Sequence, residues 1–168
     1  MKERIVFYLK FILFWIVIQF FFRLLFLMYY GDLAEELSLN EALQTFRYGF
    51  RHDASVTGYL LIIPTLLLAG FSFVRKDLTR KLIHIYSILI LIIFILVYMT
   101  NLVVYQFWNY PIDKSIFDYV SSPREWLANT RTINSLLSLV ICLLLFMGLF
   151  FLLRNYVTNN LNKLSASW

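Results

Sequence analysis

Charge, cysteine, glycine and proline are all scarce in this sequence. Only 15% of its 168 residues are charged, one is cysteine, and five glycines and three prolines are its chain breakers. The single Cys142 excludes an internal disulfide framework and any multi-cysteine metal site. So few Gly and Pro leave little room for disordered linkers, and no internal repeat or low-complexity tract is evident. Strict alternation of apolar and polar residues is missing too, which argues against a membrane β-barrel.

What fills the chain instead is apolar surface: 61% of residues are hydrophobic and 19% aromatic. Four stretches have the roughly 20 apolar residues that a helix needs to cross a hydrocarbon core about 30 Å thick. They run from about Phe11 to Met28, Ala54 to Val74, Leu82 to Tyr105 and Ile133 to Leu153. In lipid every backbone N–H and C=O needs an internal partner, so these runs predict helices. The expected fold is all-α: a polytopic helical bundle of four spans forming a single domain over residues 1–168. The first run is too long for a signal peptide, and no small-residue cleavage pattern follows Met28.

The formal net charge of +5 does not point to nucleic acid, because the cations cluster beside the apolar runs rather than along one solvated face. Lys2, Arg4, Lys10, Arg75, Lys76, Arg80, Lys81, Arg154 and Lys163 fall on one side of the four spans. Arg47, Arg51, Lys114, Arg124 and Arg131 fall on the other. Nine against five predicts, by the positive-inside rule, that both termini are cytoplasmic. Eight of the ten acids lie in the outer segments.

Those outer segments carry helix signals of their own. Ser38 and Glu41 have capping-box spacing, and Leu39, Leu43, Phe46 and Phe50 share a helical face, which predicts an amphipathic helix over about 38–51 on the outer leaflet. Ser122, Pro123 and Glu125 repeat the device and predict a second interfacial helix over about 123–130. Trp108, Tyr110, Tyr119 and Trp126 suit the headgroup layer.

Polar residues near or within the spans are the candidate functional groups. Asp53 is expected to cap or charge the N-terminus of span two, with Arg47, Arg51, Arg124 and Arg131 on lipid phosphates. Arg23 lies close enough to the outer end of span one to snorkel to headgroups, the alternative being a partner among the outer carboxylates. Gln19 and Asn101 suit interhelical hydrogen bonds, Cys142 a buried small residue, and His84 an interfacial position. His52 beside Asp53 is a weak base–carboxylate pair, since adjacent helical positions point about 100° apart. With His84 at the opposite end of its span, the two histidines cannot share a metal ion.

"FRLLFLMYY" closing span one, "FRYGFRHDAS" entering span two and "YPIDKSIFDYVSSPREWLA" before span four resemble, in order and spacing, the N-terminal membrane domain of lipoteichoic acid synthase-like membrane sulfatases. The similarity is closest to Bacteroidetes-type members of that alkaline phosphatase superfamily branch. The family's Gly-x-Arg-x-Asp pattern falls on Gly49, Arg51 and Asp53, and its Tyr-x-x-Asp and Pro-Lys/Arg-Glu patterns fall on Tyr110, Asp113, Pro123, Arg124 and Glu125. None of these is catalytic.

The resemblance implies a bacterial cytoplasmic-membrane location and contact with membrane lipids, an anionic phospholipid substrate among them. It also implies a partner in a C-terminal extracytoplasmic catalytic domain beyond a fifth span. That domain would use a divalent metal, often manganese, and a threonine nucleophile to move a glycerophosphate or related group. The residues of this chain offer no catalytic or metal site of their own and imply no cofactor here. A small membrane scaffold or assembly subunit is the alternative, and a transporter a weaker one, given so few intramembrane ionisable groups.

Overall fold

A computed structural model describes residues 2–31, 38–70, 76–114 and 132–158. Its regular elements are α1 (Lys2–Tyr29), α2 (Leu39–Ala69), α3 (Lys76–Trp108) and α4 (Thr132–Leu153), the last running into a π-helical turn at Arg154–Thr158. No strand occurs among the described residues, so the fold is all-α as expected. All four helices are long and apolar enough to cross a membrane.

The chain divides into two compact units, Met1–Ser87 with Leu152–Trp168, and Ile88–Phe151. In the first, α1 supplies the core. Phe7, Phe11, Phe14, Trp15, Ile18 and Phe22 recur at spacings of three and four and are buried. Their rings interlock, with Phe11 and Trp15 edge to face at 6.0 Å and Phe14 and Trp15 at 5.4 Å. No polar face marks this stripe in the sequence, because the opposite side of α1, with Leu9, Leu13 and Val17, is equally apolar and exposed, as lipid-facing residues are. The π-helical turn packs on α1: Leu153 and Val157 are buried, and Lys10 Nζ sits 5.1 Å from the centre of the Tyr156 ring. The amino-terminal half of α1 and the carboxy-terminal end of α4 therefore meet at the same end of the unit.

α2 departs from expectation. A surface helix over 38–51 followed by a separate span beginning with Asp53 at its N-terminus is not what forms; one helix of 31 residues runs through both. The capping box exists as read, with Ser38 Oγ accepting from the Glu41 N–H and the Glu41 carboxylate accepting from the Ser38 N–H at 2.8 Å. It starts the whole of α2, since nothing between Leu39 and Ala54 breaks a helix except Gly49, which costs only about 1 kcal/mol. At 1.5 Å per residue α2 is about 46 Å long, well beyond a 30 Å hydrocarbon core. Its last helical residue is Ala69, with Gly70 as C-cap, and the expected end at Val74 lies outside the described residues.

Within the second unit, Leu91, Ile95 and Tyr98 repeat at helical spacing on the buried side of α3. α3 ends at Asn109, which takes the left-handed conformation (φ 55°) and returns its N–H to the Tyr105 carbonyl at 2.9 Å. Asn101, expected to bond across helices, instead accepts the Ile112 N–H at 2.9 Å and ties down the segment that follows α3. The expected interfacial helix over 123–130 lies outside the described residues.

Candidate functional site

The polar contacts that join α1 to α2 lie in two layers one turn apart. On α1, Gln19 and Arg23 are separated by four residues and project from one face; on α2, Gly49, Asp53 and Thr57 do the same. The helices run antiparallel, so Gln19 meets Thr57 and Arg23 meets Asp53.

Arg23 and Asp53 form a two-pronged ion pair. Nη1 donates to Oδ2 at 2.8 Å and Nη2 to Oδ1 at 2.9 Å, the fork-to-fork geometry that only a guanidinium offers a carboxylate. Asp53 is 3% exposed, and the Arg23 side chain 20%. Gly49 makes the approach possible, because a Cβ there would collide with the Arg23 guanidinium. One turn deeper, Gln19 Nε2 donates to Thr57 Oγ1 at 3.1 Å and lies 3.3 Å from the Asp53 carbonyl and 3.2 Å from that of Trp15. Phe20 and Phe46 also meet between the two helices, their rings tilted by 37° with centroids 4.8 Å apart.

Asp53 is therefore an interior helical residue rather than a cap. With helical backbone on both sides, the carboxylate points sideways into the α1 interface instead of back over orphan N–H groups, and its partner is a guanidinium. Arg23 correspondingly turns to Asp53 rather than outward to headgroups. Joining the two charges inside apolar surroundings avoids the several kcal/mol that either would cost alone there.

His52 does not enter the site. Its Nδ1 is 4.0 Å from Asp53 Oδ1, beyond hydrogen-bond reach, and its ring is 77% exposed while both carboxylate oxygens face Arg23. Arg47 and Arg51 are exposed one turn apart on α2. Tyr110 and Asp113 lie in the segment after α3. Pro123, Arg124, Glu125 and Arg131 lie outside the described residues. Among the described residues no three His, Cys, Asp or Glu side chains come together as metal ligands.

An all-α chain with four membrane-length helices, two of them joined by a part-buried bidentate ion pair, is a multi-pass membrane protein. No family model matches it, and no match was found among curated proteins or solved structures.

Proposed function

We propose that this chain is the membrane-anchoring module of a lipid-linked phosphoglycerol or phosphoethanolamine transferase or sulfatase-like enzyme of the bacterial cytoplasmic membrane. Both termini face the cytoplasm, and the module positions an extracytoplasmic catalytic domain near its lipid substrate. The observation that carries this reading is the Arg23–Asp53 pair: charges that would line a conducting path are instead locked to each other between α1 and α2, as suits a rigid anchor. The resemblance motif gains a physical role on the same reading. Of Gly49, Arg51 and Asp53, the first and last both sit against Arg23, one by giving it room and the other by binding it.

The test is made on the gene product purified from native membranes into proteoliposomes of phosphatidylglycerol with manganese. Metal-dependent release of diacylglycerol is expected from that product, and none from residues 1–168 alone. A native product that spans the whole open reading frame and releases none would contradict the reading, as would turnover by residues 1–168 freed of host enzymes.

A further inference from the structure

Pro64 lies inside α2, five residues before its end, and is buried on the same face as Asp53, Thr57 and Leu68. Its ring nitrogen carries no hydrogen, so the carbonyl four residues earlier, that of Leu60, loses its intrahelical donor. In a bilayer an unsatisfied carbonyl is costly, and proline persists in spanning helices where a neighbouring group re-satisfies it. Here that neighbour is Tyr86, on the first three turns of α3, whose hydroxyl donates to the Leu60 carbonyl at 3.0 Å. A phenol on another helix thus occupies the acceptor that proline vacated, 26 residues away in sequence.

We propose that Tyr86 is the latch of a proline hinge in α2: its hydroxyl, seated on the Leu60 carbonyl, fixes the backbone at Pro64 and couples α3 to the segment Leu39–Leu60. The placement of the other contacts makes this consequential. Upstream of Pro64, Thr57 and Asp53 fasten α2 to α1, so the long segment Leu39–Leu60 moves with α1. At Pro64 itself the backbone lacks the bond that would make α2 a single rod, and the Tyr86 hydroxyl supplies the missing restraint from α3. With the latch closed the two holds act on one rigid helix. With it open, α2 pivots at Pro64, and the exposed segment that carries Arg47 and Arg51 changes its angle to α3. The inference rests on this geometry and not on the catalytic assignment.

The test is a distance measurement between spin labels at Gln44 and Lys81, both exposed, in the full chain with Cys142→Ala, reconstituted in nanodiscs. The parent is expected to give one narrow distance distribution. Tyr86→Phe, which deletes only the hydroxyl, should broaden or shift it. Pro64→Ala/Tyr86→Phe should return it to the parent's width, because alanine restores the N–H that satisfies Leu60. A Tyr86→Phe distribution identical to the parent's would overturn the latch, and so would a double variant as broad as Tyr86→Phe alone. If Tyr86→Phe fails to fold, recovery of folding in the double variant supports the proposal, and failure of the double variant overturns it.

Discussion

Asp53→Ala removes one half of the α1–α2 ion pair, and its cost follows from the geometry. The substitution deletes two charge-assisted hydrogen bonds of 2.8 and 2.9 Å and leaves an arginine, its side chain 20% exposed, without that counter-charge. Breaking a buried pair from one side costs about 3–5 kcal/mol, most of it the penalty on the stranded partner. Arg23 retains some exposure and a long stem that can reach toward headgroups, which favours the lower end, about 3 kcal/mol. That exceeds the roughly 0.5–2 kcal/mol of a lost helix cap, so the experiment separates the pair from the cap that sequence alone suggests. The assay is a reversible unfolding titration with SDS in mixed micelles, run as a cycle of Asp53→Ala, Arg23→Leu and the double variant Arg23→Leu/Asp53→Ala. The double variant should recover most of the loss, because apolar groups that replace both charges leave nothing stranded. An Asp53→Ala cost below about 1 kcal/mol, or a double variant as unstable as the sum of its singles, would refute the reasoning.

Gly49→Ala should destabilise by about 1–3 kcal/mol, since its methyl meets the Arg23 guanidinium, while Gly58→Ala, with nothing within 4 Å, should stabilise by up to about 1 kcal/mol in the same titration. Ser38→Ala should cost about 0.5–2 kcal/mol locally, seen as faster amide exchange confined to the first turn of α2, with the α1–α2 interface unaffected. Arg47→Gln/Arg51→Gln should lower the amount of phosphatidylglycerol that copurifies relative to phosphatidylcholine without lowering stability. Equal lipid retention would remove headgroup binding from these two arginines.

Hydropathy made the four spans legible because each holds a run near the required length, and the helices contain Phe11–Met28, Leu82–Tyr105 and Ile133–Leu153. It located the apolar core of each helix and not its ends: α3 extends six residues earlier and three later than the run that announces it. In α2 one continuous helix replaces the two expected, for a definable reason. The polar string from Arg47 to Asp53 reads as a break between surface and span, yet every residue in it is compatible with helix, and Ser38 caps the continuous element. The capping box was readable because its partners are three residues apart. Arg23 and Asp53 are 30 residues apart, so no local spacing in the sequence joins them. The useful signal was the four-residue spacing of Gln19 with Arg23 and of Gly49, Asp53 and Thr57, which places two complementary polar rows on facing helices. Tyr86 and Leu60 had no such mark, since a backbone carbonyl has no identity in the sequence until Pro64 is recognised as having orphaned it.

The proposed anchor function requires four crossings with both termini on the cytoplasmic side, so that the start of α2 faces out while the start of α3 faces in. Single cysteines at Gln44 and Lys81, in a Cys142→Ala background, report this directly through an impermeant maleimide applied to intact cells, or to spheroplasts where an outer membrane shields the surface. Both positions are exposed and lie in the first two turns of their helices. Labelling at Gln44 with protection at Lys81 until the membrane is permeabilised is the predicted result; labelling at Lys81 in intact cells would contradict the topology and the anchor function built on it.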